Sequence, residues 1–159
     1  MMDAAAFRLH CAADRGGDAL YLPNWSDGDW RALFEQTRPV ALGSGQVLIK
    51  SGESDRALYF VASGALEVTA GAGLGDALGT MFREMPGAVI GEISFFDGQP
   101  RTATVWATKA SQLLRLDLEG WRAFTAANPA LGNDLLFALG RVLAFRIRRD
   151  ERRLAAGMR

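Results

Sequence analysis

The stretch GEISFFDGQPRTATV, residues 91–105, places one glutamate and one arginine in an otherwise largely apolar segment. Pro100 directly precedes Arg101 and favours a turn over a continuous strand. Glu92 and Arg101 therefore flank a compact excursion between two predicted strands, and Gly91 lets the backbone there approach a ligand closely. The two charged groups either pair with each other or contact two ends of one ligand, and this stretch alone leaves both readings open.

The residue types in this excursion suit a phosphorylated sugar. If residues 92–94 form one helical turn, their successive backbone N–H groups would point at an anion. The guanidinium of Arg101 matches the geometry of phosphate oxygens. Glu92 can only accept hydrogen bonds when ionised, so it suits a hydroxyl rather than the phosphate. A ligand with one phosphate charge and a nearby ribose hydroxyl fits both groups.

Composition favours one globular domain and excludes several classes of protein. The chain has 159 residues, 49% of them hydrophobic, and a formal net charge of zero, so it is not expected to bind polyanions. No apolar run is long enough to span a bilayer and the N-terminus does not resemble a signal peptide, so a cytoplasmic protein without membrane contact is expected. Its single cysteine, Cys11, excludes internal disulfides, and Cys11 with the single histidine, His10, makes a poor metal site; no metal or cofactor is expected.

The chain divides into an N-terminal extension and one larger unit. Residues 1–23 are predicted to be a mobile extension, and residues 24–159 to form the domain. At its start, SDGDWRALFEQTRP predicts a short helix that Ser26 caps and Pro39 stops. Trp30, Leu33 and Phe34 would form the buried face of that helix.

The region from about 40 to 118 has the pattern of an antiparallel sheet. Short runs rich in Val, Leu, Ile, Phe and Thr recur at intervals of roughly ten residues, which is typical of a sandwich or a barrel. Glycine turns separate these runs. Gly64 is predicted to close one hairpin, and residues 71–75 to form another, flexible one.

Two helices are predicted at about 118–155, and the second, from about 129, is the longest element. Its apolar residues form two stripes, which together cover about 200° of the circumference, well beyond the ~100° of a helix with one buried face. A second copy of the helix is the simplest cover, so a homodimer through residues 129–150 is expected. The arginine-rich end, RIRRDERRLAAGMR, reads as a solvated helix end rather than a nucleic-acid or membrane surface. The stripes are Leu131, Leu135, Ala138, Val142 and Phe145, and Leu136, Leu139, Leu143 and Ile147.

Two segments resemble signatures of one family. IGEISFFDGQPRTATVWA is similar to the phosphate-binding cassette of the cyclic nucleotide-binding domain family, and LIKSGESDRALYFVASG, residues 48–64, is similar to that family's strand–turn–strand segment. The family includes the bacterial catabolite activator protein, the regulatory subunits of cyclic-AMP-dependent protein kinase and cyclic-nucleotide-gated channels. The resemblance covers residues 24–155 and implies a mainly β fold with flanking helices: an antiparallel β jelly-roll barrel with a short N-terminal helix and a long C-terminal helix.

The resemblance also assigns roles in binding cyclic AMP or cyclic GMP. Glu92 matches the glutamate that binds the ribose 2′-hydroxyl, and Arg101 matches the arginine that pairs with the cyclic phosphate. The short helical turn of the cassette corresponds to Gly91, Ile93 and Ser94, and the residues after the arginine to Thr102 and Ala103. Neither base is preferred, because receptors for both nucleotides carry Thr at the place of Thr102.

The expected function is that of a stand-alone receptor module, not an enzyme, that repositions its C-terminal helix. The chain ends shortly after the long helix, so no DNA-binding module is expected and the signal would pass to an unknown protein partner. Cleavage of a cyclic phosphodiester would need a placed base or metal ions, which the sequence does not suggest. Two alternatives stay open: Glu92 and Arg101 forming a mutual salt bridge in a fold that has lost its ligand, and a ligand-free dimerisation or interaction module.

Overall fold

The computed structural model of the chain describes residues 4–70 and 80–157. None of the helices within these ranges is both long and apolar enough to cross a membrane. In chain order the elements are α1 (Ala4–Cys11), α2 (Asp27–Phe34), β1 (Arg38–Leu42), β2 (Val47–Ile49), β3 (Ala57–Ala70), β4 (Thr80–Glu84), β5 (Val89–Ile90), α3 (Glu92–Asp97), β6 (Ala103–Asp117), α4 (Leu118–Ala127) and α5 (Pro129–Gly157).

The strands of the described region form one antiparallel sheet, and two long strands, β3 and β6, make up its centre. β3 and β6 pair along almost their whole lengths, from Ala57 opposite Asp117 to Ala70 opposite Ala103. The order across the sheet is β1-β6-β3-β4, with β2 also on β6 and β5 also on β3. The predicted mainly β fold with flanking helices is thereby confirmed. Within the described residues the sheet is not closed, because β1 and β4 at its two ends are not paired with each other.

The prediction that Gly64 closes a hairpin is wrong. β3 runs straight through Gly64, whose φ of +94° lies in the left-handed region, and its pairing with β6 shifts register on either side of it. A Cβ at this position would overlap the side chain of Ser111 and lie 2.5 Å from the Ser111 Cα. Gly64 is therefore a bulge, where only glycine permits the close approach of two strands. The second predicted hairpin, at residues 71–75, lies outside the described residues.

Side chains alternate along β3 between two apolar clusters. Leu58 and Phe60 point to the cluster that the helices cover. Tyr59 and Val61 point to the other cluster, which lies inside the curved sheet with Leu113 of β6. Because successive side chains of a strand face opposite sides, both faces of β3 must be apolar when both are covered.

The N-terminal residues pack into the core, so the expectation of a mobile extension is wrong for residues 4–23. Phe7 and Cys11 of α1 and Leu20 after it are almost completely buried, in the same cluster as Trp30 of α2. Burial raises the pKa of the Cys11 thiol to about 12, so this thiol stays protonated and packs as a small apolar group. Ala19 also forms a bridge to Ala88 at the edge of β5.

The predicted helices are confirmed, with one difference at a terminus. Ser26 caps α2 in a capping box with Asp29, and Trp30 and Leu33 are fully buried. The helix ends at Phe34, before Pro39 could stop it.

The long helix α5 is buried along one predicted stripe and exposed along part of the other. Leu135 and Val142 of the first stripe lie in the core. Of the second stripe, Leu139 is fully buried, whereas Leu136 and Ile147 are 45% and 58% exposed. The sheet and the N-terminal helices therefore leave part of the apolar surface of α5 uncovered in the single chain.

Candidate functional site

A cavity lies between the curved sheet, α3 and the C-terminal half of α5. All seven residues predicted from the sequence line it: Gly91, Glu92, Ile93, Ser94, Arg101, Thr102 and Ala103. The remaining wall comes from the strands and from α5: Ile49, Val68, Phe82, Glu84, Ile90, Val105, Arg146, Arg149 and Asp150. The structure thus brings the predicted residues together, and it adds a set from α5 that the sequence reasoning did not place there.

The excursion after β5 is the short helix α3, as predicted. Gly91 precedes it with a φ of +89° and Gly98 follows it with a φ of +71°. A Cβ on Gly91 would lie 2.5 Å from Nη1 of Arg101 and 2.6 Å from the carbonyl oxygen of Ala57. The guanidinium of Arg101 therefore occupies the space that a side chain at position 91 would need. Glycine is required here for the packing of this arginine, whether or not a ligand is bound.

Arg101 is a buried cation held by three protein acceptors. Its side chain is 3% exposed, and Nη2 donates to Oδ2 of Asp55 at 2.9 Å and to the carbonyl of Ala57 at 3.0 Å. Nη1 donates to the carbonyl of Gly91 at 3.1 Å. These bonds use three of the five N–H groups of a guanidinium and fix its plane against the cavity wall.

Asp55 connects Arg101 to a second arginine. Its other oxygen accepts from Arg115 at 2.9 Å. Burial by itself would raise the pKa of Asp55, but the hydrogen bond from Arg101 and the charge of Arg115 outweigh it, so the pKa is lowered. Asp55 is ionised at neutral pH and anchors Arg101, a role that the sequence reasoning did not assign.

Glu92 has its partner on the long helix. Its side chain is 5% exposed, and Oε1 lies 2.6 Å from Nη1 of Arg146. Arg146 also contacts Asp18 at 2.9 Å and Glu84 at 3.2 Å. Although burial lowers the pKa of Arg146, the surrounding carboxylates, Glu92 foremost, raise it above the usual value, so the arginine stays charged.

Glu92 and Arg101 do not pair with each other. Arg101 is paired with Asp55 and Glu92 with Arg146, so both line one cavity with separate protein partners. The structure therefore excludes a salt bridge between Glu92 and Arg101, which was the alternative explanation for one acidic and one basic residue in this apolar stretch.

Two further features shape the end of the cavity at α5. Burial, the dominant cause, raises the pKa of Glu84 to about 7, and Asp18 and Glu92 nearby act in the same direction. Arg149 stacks on the ring of Phe82, with its guanidinium carbon 3.6 Å from the ring centroid. The cavity therefore presents an aromatic and cationic surface where β4 and α5 line it.

The reading of the arginine-rich helix end as purely solvated is wrong for two of its residues. The side chains of Arg146 and Arg149 are 13% and 20% exposed and face the cavity. The signal was present in the sequence: Leu135, Leu139 and Val142 are followed on the same helical face by positions 146 and 149. When arginines continue the buried apolar face of a helix, that part of the helix is expected to line a buried polar site and not to be exposed to solvent.

Comparison with known proteins identifies the family of the chain. The family model of the cyclic nucleotide-binding domain matches residues 39–128, more than half of the chain. The chain belongs to this family. The matched range includes α3 and the loop to Arg101, the segment whose sequence resembles the phosphate-binding cassette of this family.

Individual relatives of this cyclic nucleotide-binding domain include a regulator and two solved structures. The CRP-like cAMP-activated global transcriptional regulator of Mycobacterium tuberculosis is 31% identical over 125 residues, which are 78% of this chain and 53% of that protein. The chain thus spans about half the length of this curated relative.

The solved structures support the fold. A cyclic nucleotide-binding domain from Methylobacillus flagellatus superposes with a TM-score of 0.79 at 22% identity, over 99% of this chain and 87% of that one. The catabolite activator protein of Thermus thermophilus superposes with a TM-score of 0.69 at 24% identity, over 84% of this chain and 60% of that one.

Proposed function

We propose that this domain binds a cyclic nucleotide monophosphate, cyclic AMP or cyclic GMP, in the cavity at α3. The proposal rests foremost on one observation: buried Glu92 and buried Arg101 line the same cavity without pairing with each other. In the proposed complex Arg101 binds the cyclic phosphate and Glu92 accepts from the ribose 2′-hydroxyl. Gly91, Ile93, Ser94, Thr102 and Ala103 complete the cassette around the sugar and phosphate.

Arg101 suits the phosphate because its position is fixed before a ligand arrives. Asp55 and the carbonyls of Ala57 and Gly91 orient the guanidinium, and two of its five N–H groups remain for phosphate oxygens. A donor that is already oriented costs less conformational entropy on binding than a flexible one. A bound phosphate would bring a second negative charge close to Asp55. Arg101 and Arg115, which pair with the two oxygens of the aspartate, would offset the repulsion between these charges.

We further propose that binding repositions α5. The contact between Glu92 and Arg146 joins the proposed ribose acceptor to the long helix through one ion pair. A ribose hydroxyl that donates to Glu92 would compete with Arg146 for this carboxylate and so weaken the ion pair to α5. The ligand then shifts α5 between two positions, by as much as its affinity differs between them. Unchanged hydrogen exchange of residues 129–150 at saturating nucleotide would contradict this coupling.

The domain is proposed to act as a sensor rather than as an enzyme. Each of the three carboxylates that line the cavity has an arginine partner, Arg146 for Glu84 and Glu92 and Arg149 for Asp150, and no histidine is among the described lining residues. The M. tuberculosis relative is a cAMP-activated regulator. By analogy this domain would pass its signal, in the cytoplasm, to a protein partner whose identity the cavity does not reveal.

A homodimer through α5 is part of the proposal. Leu136, Ile147 and Leu154 are 45%, 58% and 69% exposed and recur at spacings of 11 and 7 residues, so they lie on one side of the helix. A second copy would cover this strip with the same strip. The same surface supports the second candidate function, a dimerisation module that binds no nucleotide.

Isothermal titration of the purified chain with cyclic AMP and with cyclic GMP tests the proposal. The chain is expected to bind one of them, and Arg101→Ala to lose about 2–5 kcal/mol of binding free energy, or roughly 30- to 4000-fold in affinity. Arg148→Ala, at an exposed position of α5, is the matched control and should bind as the unaltered chain does. Circular dichroism must show that Arg101→Ala is folded, because Arg101 also satisfies Asp55. No heat with either nucleotide, from protein free of copurified ligand, would favour the dimerisation module.

A further inference from the structure

The segment between α1 and α2 lies across α5 and contacts it at successive turns. Asp14 pairs with Arg141 at 2.7 Å. Gly17 packs so closely on Phe145 that a Cβ there would lie 2.7 Å from its ring. Asp18 then pairs with Arg146 at 2.9 Å. The second oxygen of Asp18 lies 3.5 Å from Arg149, so of these contacts those of Asp18 reach arginines that line the cavity.

Arg146 meets a different carboxylate with each of its three nitrogens. Nε donates to Asp18 at 2.9 Å, and Nη2 donates to Glu84 at 3.2 Å and to the carbonyl of Val89 at 2.9 Å. Nη1 remains for Glu92, at 2.6 Å. Because the guanidinium is planar and rigid, the acceptor of Nε determines which way Nη1 points.

We propose that Asp18 is a positioning residue of the nucleotide site, acting through Arg146 on the carboxylate of Glu92. The N-terminal segment is then a part of the binding site, although it does not line the cavity at Glu92 itself. This inference rests on the proposed function, since it concerns how Glu92 is presented to the ribose 2′-hydroxyl.

The expected consequence of losing Asp18 follows from the geometry of arginine. A guanidinium prefers to meet one carboxylate through two parallel N–H bonds. When Asp18 is replaced by asparagine, Nε is left with a neutral amide oxygen, which is a weaker acceptor than a carboxylate, so Arg146 can turn to grip Glu92 or Glu84 in this way. Either turn changes the position or the free lone pairs of Glu92, so its hydrogen bond to a ribose hydroxyl weakens.

The same segment supplies a matched control. Asp14 and Asp18 both pair with arginines of α5 from neighbouring positions, and the side chains of Asp14 and Arg141 are 55% and 39% exposed. Arg141 does not line the nucleotide cavity. Asp14→Asn therefore removes a similar ion pair between the same two elements without touching Arg146.

The experiment compares cyclic AMP with 2′-deoxy cyclic AMP, or the guanine pair if the chain prefers guanine, for the unaltered chain, Asp18→Asn and Asp14→Asn. We expect Asp18→Asn to weaken binding of the ribonucleotide by about 3- to 10-fold, less than the loss of a whole hydrogen bond to a charged group, because the bond to Glu92 weakens without being removed. Binding of the 2′-deoxy nucleotide should change by less than about twofold, because that ligand does not use Glu92. Asp14→Asn should leave both affinities unchanged, and Asp18→Glu, which keeps the charge, should recover part of the loss.

The outcomes separate the inference from the proposed function. Equal weakening of both nucleotides by Asp18→Asn would show a merely structural effect and overturn the inference. If the unaltered chain binds the ribonucleotide more tightly than the 2′-deoxy nucleotide and Asp18→Asn does not change this preference, the inference is overturned. The proposed function would stay in place. An unaltered chain that binds neither nucleotide would overturn the proposed function and the inference with it.

Discussion

The stability of this domain is expected to fall as Glu84 ionises. Burial of Glu84 raises its pKa from 4.5 to about 7 in the folded chain. The folded state therefore holds a proton on this carboxyl more tightly than the unfolded state does. The stability that the protonated form contributes is complete below about pH 4.5 and is lost as the pH rises through about 7. The difference between the two pKa values corresponds to about 3 kcal/mol.

The variant Glu84→Gln removes the titration and keeps the size and polarity of the side chain. Relative to this variant, the unaltered chain should lose about 3 kcal/mol of unfolding free energy between pH 4.5 and pH 8.5. Urea unfolding of both proteins, followed by the fluorescence of the four tryptophans, gives this difference at each pH, and the titrations common to both proteins cancel.

Glu151→Gln, on the exposed end of α5, is the control: it keeps Glu84, so its unfolding free energy should fall with pH in parallel with that of the unaltered chain. A difference between Glu84→Gln and the unaltered chain that stays constant to within about 0.5 kcal/mol over this range would refute the reasoning, because a constant difference means that Glu84 titrates alike in the folded and unfolded chains.

Two further predictions concern the surface of α5 and the bulge in β3. If α5 forms the proposed homodimer, light scattering should give twice the chain mass of 17.2 kDa. Ile147→Glu should give the mass of one chain, because a charge is costly in an apolar interface. Lys109→Glu, on the exposed part of β6, should leave the dimer intact, and a single-chain mass for the unaltered protein would contradict the proposal. Gly64→Ala should destabilise the fold by about 2–4 kcal/mol in urea unfolding, because a positive φ costs about 1–2 kcal/mol and the new methyl group meets the backbone of Ser111. Gly45→Ala has a similar φ of +82° with open space around it, so it should show the backbone cost alone, and equal losses for the two variants would contradict the role of Ser111.

Much of the local structure was predictable from the sequence because its causes lie within a few residues. The capping box at Ser26 and Asp29 fixes the start of α2, and the repeat of apolar residues fixes α4 and α5. The glycine and proline positions around residues 91–101 likewise indicated a short helical excursion between strands. For the site, the same stretch supplied both Glu92 and Arg101, since the residues that flank a tight excursion must lie near each other in space.

The continuous strands β3 and β6 were not predictable in this way. A glycine such as Gly64 allows a turn and a bulge equally well from local preferences. The choice between them depends on Ser111, which lies opposite in β6 and is 47 residues away in the chain. Pairing across such distances is decided by the whole sheet.

By itself the sequence determined the family pattern, the helices from α2 to α5 and the pair of charged residues that faces the cavity. Only the tertiary structure decided the partners of those charges: Asp55 for Arg101, and Arg146 for Glu92. Ion pairs of this kind join residues from distant parts of the chain, and no local spacing encodes them. The N-terminal segment entered the site for the same reason, because Asp18 is close to Arg146 only after α5 has folded back along the sheet.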